Sequence, residues 1–499
     1  MKNKVRLFSI AALAVAVAAL TGCSKEEIGG DGLTFTTTVQ MPAGGTKALD
    51  EHGVKTFAVG ERIKVTCDGG SMTCTSEELT SADISADGKA AKFTFNFESA
   101  PTLSSGSTVT YEYPAAHSGL GGQDGTLATL QSTYDYASCS PTVSVAGQLP
   151  TNITLANQYA ILKLNLKNSD GSEDITSGVR QLTVTLGGQT VTVNRTPAAG
   201  PVYVAVPAAS GTIVFYAAKD KSLYTKSVSQ TLTAGHLYPV NLSMSTVEGA
   251  LSGLFSVSAS KKVYFSKGNL MADFNSPGNS YTWSFANNQW GCVGDHAANN
   301  AINGNGSVST AGSVDLFGWS TISTAYGIHN STNNTDYHGN SRDWGTNAIT
   351  NGGNEANLWS TMSRYEWEYL IARDSRTTWG RATVAGICGL IILPDNYSGT
   401  AITCGDDSKW NTNTIDASSW ASNYEAYGAV FLPAAGYRSG TGIYHDPSFN
   451  EKRGYYWSST SYGDYGGHYV DLENSNLNTD YTSNYGFWGM SVRLVRVAN

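Results

Sequence analysis

The chain has 499 residues and a net charge of −9, with only 14% charged residues and no block of Lys or Arg, which excludes a nucleic-acid partner held through phosphate contacts. Its length exceeds what one core organises, so two or more domains are expected. Gly 54, Tyr 27 and Trp 11, among many Ser, Thr and Asn, describe an extracellular β-rich protein with long loops, and the aromatic content disfavours disorder.

The chain opens on Lys2, Lys4 and Arg6, followed over residues 7–20 by an apolar run too short to span a bilayer of about 30 Å. Residues 1–22 read as a secretion signal. They close in Leu20-Thr21-Gly22-Cys23, which resembles the bacterial lipobox and implies cleavage before Cys23 with lipid (palmitate) on that cysteine. Ser24-Lys25-Glu26-Glu27, in a tether over 23–30, is similar to the tag that sends Bacteroides-type lipoproteins to the outer face of the outer membrane. The expected state is anchored to the outer membrane rather than spanning it. Cys67, Cys74, Cys139, Cys292, Cys388 and Cys404 remain, and they permit disulfides in several pairings or stand as free buried thiols.

From residue 31 the pattern has period two. Leu33, Phe35, Thr37, Val39 and Met41 alternate with polar neighbours, as do Ile63, Val65 and Cys67, then Phe93, Phe95 and Phe97, then Leu162, Leu164 and Leu166. Leu182, Val184 and Leu186 lead through Gly187-Gly188 into Val191 and Val193, a two-residue hairpin signal. Val202, Val204, Val206, Ile213 and Phe215 continue the pattern, and no helical stretch interrupts it. The predicted fold over residues 31–245 is an antiparallel β-sandwich.

This half resembles the fimbrillin-like (Mfa-like) pilins of Bacteroidia. The resemblance rests on Phe35-Thr36-Thr37-Thr38-Val39, Thr46-Lys47-Ala48, Phe57-Ala58-Val59-Gly60-Glu61-Arg62-Ile63-Lys64-Val65 and Leu232-Thr233-Ala234-Gly235-His236-Leu237-Tyr238-Pro239-Val240-Asn241-Leu242. It implies that a protease cuts at Lys47, that the first strand leaves, and that a neighbouring pilin donates a strand to the groove. An uncleaved loop lysine is the alternative reading of Lys47.

Residues 246–252 are small and polar and read as a linker. Beyond them, over 253–499, strands over Val263-Tyr264-Phe265 and Tyr281-Thr282-Trp283 precede a Gly/Asn/Ser segment over 297–350, punctuated by Leu316-Phe317-Gly318-Trp319 and Asp343-Trp344-Gly345. Loops this long need tertiary anchors, and the aromatic residues are the expected ones. Ser363-Arg364-Tyr365-Glu366 is a capping box opening a helix with Trp367, Leu370 and Ile371 on one face. Leu390-Ile391-Ile392-Leu393-Pro394 and Ala429-Val430-Phe431-Leu432-Pro433 read as buried strands stopped by proline. An α+β C-type-lectin-like fold with long loops is expected.

Glu366-Trp367-Glu368-Tyr369-Leu370, Leu393-Pro394-Asp395, Phe431-Leu432-Pro433-Ala434-Ala435-Gly436-Tyr437-Arg438, Tyr455-Tyr456-Trp457-Ser458-Ser459-Thr460 and Ser491-Val492-Arg493-Leu494-Val495-Arg496 resemble the bacterial branch of that fold. That branch holds formylglycine-generating enzymes and retroelement-diversified ligand-binding proteins. The enzymes work through cysteines near the C-terminal end, whereas the last cysteine here is Cys404, so no enzyme is expected. The histidines form no metal spacing, and neither a nucleophile elbow nor a P-loop occurs. The E-P-N and Q-P-D loops of calcium-dependent lectins are also absent, so no cofactor is expected and calcium is unsupported.

What remains is binding. Residues 454–497 set an apolar skeleton of Tyr456, Trp457, Val470, Leu472, Val492 and Leu494 among Tyr, Asn, Asp, Ser and Gly, the residue set of a contact surface. The resemblance to the diversified proteins implies ligand contacts at Tyr462, Asp464, Tyr465, His468, Tyr469, Asp471, Glu473, Asn474, Asn476, Asn478, Asp480, Tyr481, Asn484, Tyr485, Phe487, Trp488 and Met490. A period-two reading places Tyr469, Asp471 and Glu473 together on the outward face. Phe487, Trp488 and Met490 form either an exposed apolar cluster or a cap on the core.

The chain is therefore expected to be a surface-anchored or pilus-tip adhesin of the fimbrium that binds a protein or glycan on a host or microbial surface. A structural fimbrial lipoprotein with no separate ligand is the alternative, ahead of a formylglycine-generating-type enzyme.

Overall fold

The computed structural model describes residues 33–41, 56–117, 119–275, 280–292, 313–319, 328, 331–337, 343–440, 442–444, 453–483 and 485–498. Cys23 with the expected signal and tether, Lys47 and Asn484 lie outside them. The chain is mostly β.

Residues 33–157 form two small sheets around one core. In the first, Leu33–Gln40 runs antiparallel to Ala90–Phe97 along its whole length and parallel to Ile153–Thr154 only at Val39 and Gln40. In the second, the order is Met72–Thr75, Lys64–Cys67, Thr110–Tyr113, Ala137–Cys139, Ala156–Asn157. The alternating Phe93, Phe95, Phe97, Val65 and Cys67 are buried between them.

A separate core follows. Tyr159–Asn168, Val179–Leu186, Gln189–Asn194, Val202–Pro207, Ser210–Lys219, Ser222–Thr231 and Leu237–Thr246 form a 7-stranded sheet that buries Leu162, Leu164, Leu166, Val184, Val204 and Phe215. Gly187 and Gly188 have φ of 59° and 77°, and Leu186 pairs with Gln189, so the two-residue hairpin forms where its sequence signal stands. The span expected to be one sandwich thus holds two cores, because each group of alternating strands buries its own apolar face.

The expected linker over 246–252 is structured chain. Leu237–Thr246 is followed almost at once by Ala250–Ser256, whose Leu251, Ser252 and Leu254 are buried and which pairs with Lys262–Ser266. Just beyond the expected linker Gly253 serves close approach, since a Cβ on it would meet the Gly428 carbonyl oxygen at 2.2 Å. Tyr216 of the 7-stranded sheet packs on Tyr264 with ring centroids 5.4 Å apart, which joins that sheet to the C-terminal unit.

In that unit Leu494–Val497 lies between Lys262–Ser266 and Ser360–Thr361 in one sheet. Helix Arg364–Ala372 opens on the expected capping box: Glu366 N donates to Ser363 Oγ, and Ser363 N donates to the Glu366 carboxylate at 2.7 Å. The helix buries Trp367, Leu370 and Ile371. Asn413–Ile415, Trp379–Val384, Ile387–Ile392 and Val430–Pro433 form a second sheet. Trp319 and Trp344, the aromatic anchors expected in the long polar segment, are buried in one cluster, which Trp359 joins. No disulfide joins any two of the described cysteines.

Candidate functional site

Gly454–Tyr462, Gly466–Leu472 and Leu477–Ser483 form a three-stranded antiparallel sheet that, together with its two connecting turns, carries most of the predicted contact residues. Both faces of its central strand are covered. On one face Tyr456, Val470 and Leu472 join the core under helix Arg364–Ala372, where Tyr456 lies against Trp367 and its hydroxyl donates to the Pro433 carbonyl at 2.9 Å. On the other, Tyr455, Trp457 and Tyr469 join the tryptophan cluster. Trp457 packs on Trp319 at 5.0 Å and donates its indole N–H to the Phe317 carbonyl at 2.7 Å. Gly467 lies flat on Trp319, whose ring would be 2.6 Å from a Cβ there.

The outward placement of Tyr469 and Asp471 is thereby corrected. They do oppose Val470 and Leu472, yet they are only 8% and 4% exposed, because the neighbouring strands and the tyrosine cluster cover that face. His468 and Met490 are buried as well. His468 Nδ1 and the Arg364 guanidinium both meet Asp480 Oδ1, at 2.9 and 2.8 Å, so His468 and Asp480 fasten the sheet to the helix. Asn474 Oδ1 accepts from Trp410 N at 2.7 Å, and Asn478 Oδ1 from Asp480 N at 2.8 Å. Glu473 pairs with Arg453 at 2.7 Å. Met490 pairs through its backbone with Phe317, so of the terminal cluster Met490 caps the core while Phe487 and Trp488 are half-buried.

What reaches solvent is the edge of an aromatic ladder. Tyr481 stacks on Tyr469 at 5.8 Å, Tyr469 meets Tyr455 at 5.9 Å, and Tyr455 meets Tyr437 edge-on at 5.6 Å. Tyr437 stacks on Tyr444 at 5.3 Å and touches Trp488 at 5.2 Å; Trp488 meets Tyr485, which meets Phe487. Tyr481, Tyr444 and Tyr485 are 39%, 47% and 50% exposed. Tyr462, Asp464 and Asn476 are also exposed, with Tyr465 half-buried, and Tyr462 meets the His468 ring edge-on at 5.6 Å. Tyr437 and Tyr444 were not among the predicted contacts. Their signal was a tyrosine at each end of a short Gly-containing segment, now seen as the paired strands Tyr437–Ser439 and Gly442–Tyr444.

Asp471 lies beneath this edge. Its Oδ1 is buried without a hydrogen-bond partner among the described residues, and burial, with Glu473 adding to it against Arg453, pushes its carboxyl up to about 7. Among the described residues no group of three or more His, Cys, Asp or Glu side chains is placed to hold a metal ion, and no helix is long and apolar enough to cross a membrane.

Residues 397–495 match a family described as a domain of unknown function, DUF8237. That span contains the whole ladder. No curated protein matches the chain. Among solved structures, a fimbrial protein from Bacteroides ovatus overlaps 93% of this chain and 99% of its own, at 10% identity and a TM-score of 0.22. A candidate cell adhesion protein from Bacteroides uniformis overlaps 43% and 97%, at 12% identity and a TM-score of 0.23. GBS52, the minor pilin of Streptococcus agalactiae, overlaps 43% and 96%, at 9% identity and a TM-score of 0.17. Overlaps scoring this low decide neither fold nor role.

Proposed function

We propose that this chain is a cell-surface adhesin, lipid-anchored at Cys23, whose C-terminal unit binds a protein or glycan of another surface through the exposed edge of the aromatic ladder. The observation that carries the reading is the placement of Tyr444, Tyr481 and Tyr485. Each presents a ring to solvent while its inner side rests on another ring, so little rotamer entropy remains to be lost on contact. Tyr462, Asp464, Tyr465, Asn476 and half-buried Phe487 and Trp488 extend this face, and buried His468, Tyr469, Asp471 and Met490 support it from within. Retroelement diversification would then act on the outer residues.

The pilus-tip placement is part of the same proposal. Leu494–Val497 is taken up between two strands of its own sheet, so it is not free to complete a neighbour. Among the described residues Leu33–Gln40 has one fully paired edge and only two paired residues on the other, which suits a strand released after cleavage at Lys47 and replaced by a pilin's. Sequencing the DNA beside the gene tests the diversified form: a reverse transcriptase and a near-copy of the codons for residues 455–496, differing at adenines, are expected. If neither is present, the face has a fixed specificity.

A further inference from the structure

A cleft of about 540 Å³ opens where the 7-stranded sheet meets the C-terminal unit, and none of its lining residues belongs to the aromatic ladder. Arg180 and Arg195 stand opposite one another on its wall: Arg195 N donates to the Arg180 carbonyl at 2.8 Å, one step beyond the paired Gln181 and Asn194. Like charges directly opposed across strands destabilise a sheet. Among the described residues neither arginine forms an ion pair, although the charges of Asp220, which lines the same cleft, and of Asp124 favour the charged forms of Arg180 and Arg195.

Arg180 is fixed in place, donating from Nη1 to the Asp220 carbonyl at 2.6 Å and from Nη2 to Ser252 Oγ. Burial pushes its guanidinium down to about 10, which leaves it charged at neutral pH. Arg195 donates from Nη2 to the Ala198 carbonyl at 2.7 Å, while its Nη1 is buried with no acceptor. Such a donor is unfavourable until something accepts from it. Across the cleft, the Asp395 carboxylate is already held by Arg373 and by Lys262 at 3.1 Å, so it offers little repulsion to an anion. Asp220 also lines the cleft, with its backbone carbonyl on Arg180; the rest of the wall is neutral and hydrogen-bonding, with Gln181, Asn194 and Asn396, and with the Tyr427 ring 37% exposed at the rim.

We propose that this cleft is a second binding site, for a carboxylate-bearing saccharide of one or two rings. The carboxylate lies on Arg195 and Arg180, which recognise it through paired N–H donors. The sugar hydroxyls meet the side-chain amides, and one ring face rests on Tyr427. The volume falls within the range of small-molecule sites, and a hydroxyl-poor acid would leave the amides without partners. This assignment does not depend on the role of the aromatic ladder.

The test is calorimetric titration of the full chain with D-glucuronate, D-galacturonate and N-acetylneuraminate, against D-glucose and acetate. At least one carboxylated sugar is expected to bind at least about tenfold more tightly than glucose and acetate. Arg195→Gln and Tyr427→Ala, each checked for folding by circular dichroism, should both weaken that binding by about tenfold or more, and Tyr485→Ala should leave it unchanged. No preference for any carboxylated sugar, acetate binding as tightly, or undiminished binding by folded Arg195→Gln would each overturn the proposal.

Discussion

Tyr469 and Tyr481 face one another across neighbouring strands, their ring centroids 5.8 Å apart and their planes 20° from parallel. Tyr481 is thus both the outer surface of the sheet and the cover of the ring beneath it. Removing it separates binding from stability. Tyr481→Ala should cost about 0.5–1.5 kcal/mol in urea unfolding, the value of an aromatic pair, whereas Trp457→Ala, fully buried two residues from Tyr455, should cost about 3–5 kcal/mol.

Asp471 makes stability fall as pH rises. Its carboxyl holds a proton up to about 7 in the folded chain but releases it near 3.8 when unfolded, so the unfolded state binds fewer protons between these values. The resulting penalty grows from pH 4 to pH 7 and then levels off. Asp471→Asn should match the parent protein near pH 4 and exceed it at pH 8 by up to roughly 4 kcal/mol. Thermal unfolding at the two pH values checks this, and an equal change at both would contradict it.

The opposite sign holds at Asp395. Burial raises its carboxyl, but the Ser256 hydroxyl, Lys262 and Arg373 together bring it below 3.8. Its contribution is present above that value and is lost on acidification through the lower folded one. Asp395→Ala strands the buried Arg373 guanidinium and should cost roughly 3–5 kcal/mol at pH 7, with a smaller loss at pH 3.

Gly467 is set by contact rather than by backbone conformation. Since a Cβ would stand 2.6 Å from the Trp319 ring, Gly467→Ala should destabilise by about 1–3 kcal/mol and change the near-ultraviolet circular dichroism of the tryptophan cluster. Gly463→Ala, in the exposed turn before the strand, is the comparison that should leave that spectrum alone despite its φ of 61°.

Alternation and turn chemistry made much of the fold legible. Phe93, Phe95 and Phe97, the Gly187-Gly188 hairpin and the Ser363 capping box all act locally, so their residues declare them. The strand Ala250–Ser256 is hard to read locally because small residues such as Ser252 and Gly253 look alike whether they bend in solvent or let two backbones touch. The proposed contact face was half legible. Period two separated Tyr469 from Val470 correctly, but a strand's two faces carry no sign of whether a second cluster covers the outer one. Tyr437 and Tyr444 reach the ladder from another sheet, a long-range placement that no local spacing encodes.

Binding of the purified chain to arrayed host and microbial surface proteins and glycans, run beside the Tyr444→Ala, Tyr481→Ala, Tyr485→Ala triple variant, tests the central claim most directly. The account predicts at least one specific partner for the parent chain and its loss in a triple variant that unfolds at nearly the same urea concentration. A partner held with equal affinity by that folded variant would contradict it.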